Sequence, residues 1–183
     1  GIKTKPGLNT SVSRSVVYLN GIKTASFNTR ATLSYGLNYR YIDKLDLSLN
    51  CNGTFNSVNY EQPGLNDANY INLLSSFNFT YYLPKNFTLN SDLSYSENAN
   101  QIQGAKKGIT LLNASVYKEF LKGKQAKISF EAYDLLKQNA SINRIITNNQ
   151  IEDRQSNNLQ QYFMVTFTYR LMKFKQREKS MTE

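Results

Sequence analysis

The sequence predicts an all-β protein, an antiparallel up-and-down meander of about eight long strands. Three observations carry that reading. Apolar and polar residues alternate with period two over stretches longer than ordinary strands. The connections alternate between tight turns and longer polar segments. No stretch shows the 3.6 period of an amphipathic helix.

The first strand is expected near Asn9 to Leu19, with its facing undecided. Val12, Val16 and Tyr18 share a face with Arg14, while Val17 and Leu19 share one with serines. The second is the clearest. Phe27, Thr29, Ala31, Leu33, Tyr35, Leu37, Tyr39 and Tyr41 alternate with Asn28, Arg30, Thr32, Ser34, Gly36, Asn38 and Arg40. After Asp43-Lys44, Leu45, Leu47, Leu49, Cys51 and Phe55 alternate with polar residues. Ile71, Leu73, Phe77, Phe79, Tyr81 and Leu83 form the next stripe. After Pro84-Lys85-Asn86 come Phe87, Leu89, Leu93 and Tyr95. Leu112, Ala114 and Val116 follow. After Lys122-Gly123-Lys124 come Ala126, Ile128, Phe130 and Ala132. The last stripe is Phe163, Val165, Phe167, Tyr169 and Leu171. The longer connections are expected at Asn20–Ala25, Tyr60–Asn69, Glu97–Gly108 and Gln138–Asn158.

Short turns at one end and long loops at the other describe an outer-membrane β-barrel or a segment of a larger one. A soluble barrel keeps its apolar face inside, whereas a membrane barrel turns it to lipid. Three features favour lipid. The strands exceed the roughly 9–11 residues that cross a bilayer. Aromatics gather near strand ends, as girdles do: Tyr39, Tyr41, Tyr81, Tyr82, Phe87, Phe120, Tyr169 and Phe174 at one end, Phe27, Phe55, Tyr70 and Tyr95 at the other. The polar face is mostly Asn, Ser and Thr, whereas a soluble outer face usually carries more Lys and Glu. Leu33, Phe79 and Phe167 are then expected on the outside, with no dry interior where they meet. With periplasmic tight turns the last strand descends to the periplasm, as barrel assembly requires of a C-terminal aromatic strand.

Composition narrows the function. The 183 residues carry a net charge of +9, 13 Tyr, 10 Phe, one Cys and no His or Trp. Without His there is no Ser–His–Asp or Cys–His unit and no His-ligated metal, so no enzyme, metal or cofactor is expected. One Cys makes no internal disulfide. No run approaches the ~18 apolar residues of a membrane helix. The chain opens Gly1-Ile2-Lys3-Thr4 with neither an initiator nor an apolar leader, so it is expected to be a piece of a longer protein. Residues 1–172 are assigned to the barrel segment and 173–183 to a basic tail.

Three runs near the C-terminus carry a resemblance. They are Leu111-Leu112-Asn113-Ala114-Ser115-Val116-Tyr117-Lys118-Glu119-Phe120, Ile128-Ser129-Phe130-Glu131-Ala132-Tyr133-Asp134-Leu135-Leu136, and Gln161-Tyr162-Phe163-Met164-Val165-Thr166-Phe167-Thr168-Tyr169-Arg170-Leu171. This stretch resembles the C-terminal end of Bacteroidetes outer-membrane β-barrel proteins of the TonB-dependent receptor-like group, with residues 139–158 similar to their last extracellular loop. The resemblance implies a large barrel, often of about 22 strands, with an N-terminal plug and a TonB-contacting segment. This chain would be about its last third. The basic tail after Phe174 departs from that pattern.

Few residues suggest chemistry. Arg30, Arg40, Asp92, Lys127 and Glu131 share the inward parity; they line a solute path or pair with one another. Glu152-Asp153-Arg154 in the last loop contacts a cation or ligand, or is simply solvated. Glu131 and Asp134 face opposite ways and make a poor acid/base pair. Cys51 has lipid parity and reads as a small apolar residue. Asn-x-Ser/Thr triplets such as Asn52-Gly53-Thr54 carry no glycosylation meaning in such a membrane. The tail lysines resemble a nucleic-acid patch only in charge, so no nucleic-acid partner is expected. Basic turns beside lipid head groups account for much of the positive charge. The expected role is the wall of a TonB-dependent receptor-like transporter importing a solute. Its expected partners are outer-membrane lipid, the barrel assembly machinery and a TonB-type protein reached through a plug. The alternatives are a complete eight-stranded barrel with a structural or adhesive role, and, disfavoured by the missing His, a membrane protease or lipase.

Overall fold

The computed structural model describes residues 1–19, 21–61, 67–98, 108–139, 142–146, 151–155 and 159–171. Its strands are β1 (Ile2–Leu19), β2 (Ile22–Tyr41), β3 (Leu45–Tyr60), β4 (Ala68–Leu83), β5 (Phe87–Asn98), β6 (Gly108–Phe120), β7 (Ala126–Tyr133), β8 (Ile142–Ile146), β9 (Ile151–Gln155) and β10 (Tyr162–Tyr169). Eight of them form one sheet in the order β1-β2-β3-β4-β5-β6-β7-β10, and each neighbouring pair is antiparallel. The sheet does not close: β1 and β10 each have a neighbour on one side only.

The tight turns are single 3-10 turns at Ile42–Lys44, Pro84–Asn86 and Lys122–Lys124. Proline starts the second, where its fixed φ suits the turn and its missing N–H costs nothing. All three lie at one end of the sheet. β10 ends there too, where the Arg170 N–H donates to the Gln125 carbonyl at 2.8 Å.

Three expectations need correction. β1 begins at Ile2, seven residues earlier than its alternation suggests. Thr4, Pro6 and Thr10 blur its stripe, yet backbone pairing with β2 runs unbroken from Ile2↔Tyr39 to Leu19↔Ile22. Residues 22–25 are strand rather than loop, because β1 and β2 meet in a hairpin that turns on Gly21 at φ +82°, a conformation natural to glycine. The long connection 138–158 holds a further two-stranded hairpin, β8–β9, in which Asp153 pairs with Arg144 in the backbone register.

Register fixes which side chains share a face. One line of directly opposed residues runs Leu37, Leu49, Phe77, Leu93, Leu112 across β2 to β6. Another runs Tyr41, Leu45, Tyr81, Leu89, Val116, Phe130, Val165 across β2 to β10. On the other side lies Asn38, Ser48, Asn78, Asp92, Asn113. The pairing also settles β1: its even residues, Arg14 included, join the apolar face.

The apolar face covers no core. Leu33 and Phe167 are 67% and 62% exposed, and Phe79 is half-buried on its strand. Among the described residues, the buried apolar side chains are Ala25, Ala126 and Ala132, whereas Thr24, Ser26, Thr54, Thr88 and Ser129 are all buried polar residues. In water so large an apolar surface would drive aggregation. In hydrocarbon it is the solvated state.

Candidate functional site

The polar face is the candidate site. Two hollows lie on it. One, about 850 Å³, is lined by Lys5, Asn38, Arg40, Asp46, Ser48 and Asn78 among others, from four consecutive strands. The second, about 370 Å³, lies at the tight-turn end among Arg40, Asp46, Tyr82, Thr88, Tyr117 and Glu119. The sheet thus curls toward its Asn/Ser/Thr side, as a wall around an aqueous lumen must.

Local hydrogen bonds hold this face. The Thr32 and Thr54 hydroxyls, directly opposed on β2 and β3, lie 3.1 Å apart. The Ser34 hydroxyl donates to the Gly7 carbonyl at 3.2 Å. That contact needs Gly7, because a Cβ there would lie 2.4 Å from the Ser34 Oγ. The Asn90 amide reaches Ser115 at 3.4 Å.

The charged residues singled out by parity do face inward, but they do not pair with one another. Arg40 forks onto Asp46, Nε to Oδ1 at 2.5 Å and Nη2 to Oδ2 at 3.1 Å, across the first tight turn. The Tyr82 hydroxyl donates to the same carboxylate at 3.2 Å. Lys127 lies over the Tyr117 ring at 4.2 Å. Glu131 accepts from the Ser129 hydroxyl at 2.9 Å and the Tyr133 hydroxyl at 2.5 Å. Arg30 and Asp92 stand on the inward face without a salt bridge among the described residues. Parity finds the facing of each charge. It misses the partners because Asp46 meets Arg40 across a turn and Tyr82 meets Asp46 from the next strand.

Asp134 has a structural task. It is 4% exposed at φ +49°, where its carboxylate accepts the Gln138 and Asn139 N–H groups at 2.9 and 3.1 Å. Its own N–H donates to the Asn113 side chain at 2.9 Å. It is a turn anchor, separate from Glu131. Cys51 sits half-buried on the apolar face opposite Tyr35. Glu152, Asp153 and Arg154 fall in β9 rather than in open loop.

The girdles are partly as expected. Tyr41, Tyr81, Phe87, Phe120 and Tyr169 stand on the apolar face at the tight-turn end, with Phe120 and Phe167 rings 6.4 Å apart. Phe27, Phe55 and Tyr95 stand on it toward the other end. Tyr82 and Tyr70 do not belong: both have inward parity, Tyr82 bound to Asp46. Phe174 and the basic tail lie outside the described residues. Between Phe27 and Tyr41 runs about 46 Å of strand, which at the ~45° tilt of membrane strands spans about 33 Å of bilayer.

A family model for an outer membrane protein β-barrel family matches residues 20–169, which covers every strand of the sheet except β1. No curated protein and no solved structure matches the chain.

Proposed function

This chain belongs to the outer membrane protein β-barrel family and resides in the cell outer membrane, and on that premise we propose that it is the C-terminal part of the wall of a larger barrel that imports a solute, of the TonB-dependent receptor-like kind. The observation that carries this reading is the open sheet. A complete eight-stranded barrel pairs its first strand with its last and fills its interior with side chains. Here β1 and β10 are unpaired at their outer edges, and the polar face curls around hollows rather than a packed interior. Unpaired edges in a membrane are costly, so further strands of the same barrel are the natural partners. Solute selectivity would then rest on the inward Lys, Arg, Asp and Glu residues. The proposed role is that of a wall.

Disulfide cross-linking in intact outer membranes tests this. In a Cys51→Ser background, Thr166→Cys on β10 is combined in turn with Lys5→Cys, Asn9→Cys and Ser13→Cys on β1, all on the inward face. A larger barrel yields no internal cross-link in any pair. A cross-link in one pair would show that β1 and β10 meet, which is the complete small barrel. Import itself is tested by comparing cells with and without the intact gene for uptake of iron chelates and oligosaccharides too large for porins, with and without an uncoupler.

A further inference from the structure

The outward face of the eight strands carries four charged residues among those described: Arg14, Lys23, Glu97 and Lys118. Arg14, Lys23 and Glu97 lie toward the long-loop end. Arg14 is spoken for, bound to Glu61 at 3.2 Å and set over the Phe27 ring at 5.5 Å. Lys118 stands apart at the tight-turn end, where family topology puts the periplasm. Its Nζ lies 4.9 Å from the centroid of Phe87, its direct register partner on β5. Two residues before Phe87, in the turn that packs against β6, is Lys85.

Neither lysine has a carboxylate partner among the described residues. The adjacent acid, Glu119, has the opposite parity and is held by Lys124 at 3.2 Å. Above Lys118 on the same face come Val116, Leu89 and Phe130. A lysine at the edge of a hydrocarbon belt buries its stem and sends its ammonium to the head-group level. Two unneutralised ammonium groups beneath an apolar track match a phosphate with an acyl chain attached.

We propose that Lys118 and Lys85, with Phe87 beneath Lys118, bind the phosphate of an anionic phospholipid in the periplasmic leaflet, its acyl chain lying along Leu89, Val116 and Phe130. The site depends on the outer-membrane placement and is independent of the transport reading.

The absence of Trp makes the test direct. A Phe120→Trp reporter is placed on the same face, two residues beyond Lys118. The intact protein that carries this chain, with any tryptophan outside residues 1–183 changed to phenylalanine, is folded into phosphatidylcholine vesicles containing either brominated phosphatidylglycerol or brominated phosphatidylcholine, and Trp quenching gives their relative affinities. The expected preference for phosphatidylglycerol is about fivefold, falling to about one in K85Q/K118Q and returning in K85R/K118R. The control K44Q, in another turn, keeps it. A preference near one in the reporter protein, or one that survives K85Q/K118Q, overturns the site. So does loss of the preference in sodium phosphate but not in sodium chloride of equal ionic strength, which would mean a free oxyanion suffices. Quenching by neither lipid would overturn it together with the outward facing of this surface.

Discussion

Leu8 and Leu33 stand directly opposite each other on β1 and β2, and both are exposed, at 73% and 67%. One residue along, Thr32 and Thr54 share a hydrogen bond on the half-buried to buried side of the same sheet. A soluble sheet arranges these pairs the other way round. Among the described residues, the outward face has no charged side chain between the Arg14 and Lys118 levels, while the inward face holds Lys3, Lys5, Arg30, Arg40, Asp46 and Asp92 among others.

A charge placed mid-belt should therefore be expensive only on the outer face. Leu33→Arg is expected to destabilise the folded protein in vesicles by about 2–4 kcal/mol. Ser76→Arg, on the inward face of β4, is expected to cost less than about 1 kcal/mol. Urea titration in lipid vesicles measures both. Equal costs would contradict the assigned facing.

The Arg40–Asp46 fork closes the first tight turn on the inward rim. Arg40→Asp should leave two carboxylates facing each other and slow insertion into vesicles. The swap Arg40→Asp with Asp46→Arg should restore most of the rate. A gel mobility assay follows it, since folded barrels resist unfolding in detergent without heat. A swap as slow as the single variant would mean that the pair is not formed.

Legibility varied along the chain for physical reasons. Period-two stripes assign facing without coordinates, so β2 to β7 and β10 could be read from Leu, Phe and Tyr alone. β1 could not, because Thr4, Pro6, Thr10 and Arg14 interrupt its stripe, and only its backbone partners decide which face it shows. Tyr82 does not join Tyr81 in the girdle because adjacent residues on a strand face opposite ways, and sequence proximity alone does not distinguish them. The inward charges are legible as a set. Their partners are not, since Asp46 reaches Arg40 from β3 and Tyr82 reaches Asp46 from β4.

Asp134 anchors the turn after β7 by accepting two backbone N–H groups while buried. Asp134→Ala should cost about 2 kcal/mol by orphaning those donors. Asp134→Asn should cost less, since it keeps one acceptor and tolerates positive φ. Urea midpoints of the two variants in lipid vesicles check the order.

Leu121 holds φ +68° and ψ +167° at the entry to the third tight turn, a region that strains any residue with a Cβ. Leu121→Gly should raise stability by about 1 kcal/mol, read as a higher urea midpoint. A lower midpoint would show that the leucine side chain contributes more than the strain removes.

The most direct test of the inverted facing is a cysteine scan of β2 in a Cys51→Ser background, with single cysteines from Thr29 to Tyr39 in the protein folded into vesicles. Each is exposed first to a water-soluble maleimide and then, separately, to quenching of an attached fluorophore by brominated lipid chains. The account predicts strict alternation: even positions react with the aqueous reagent, and odd positions are shielded from it and quenched by lipid. The opposite alternation, or aqueous reaction at every position, would contradict it.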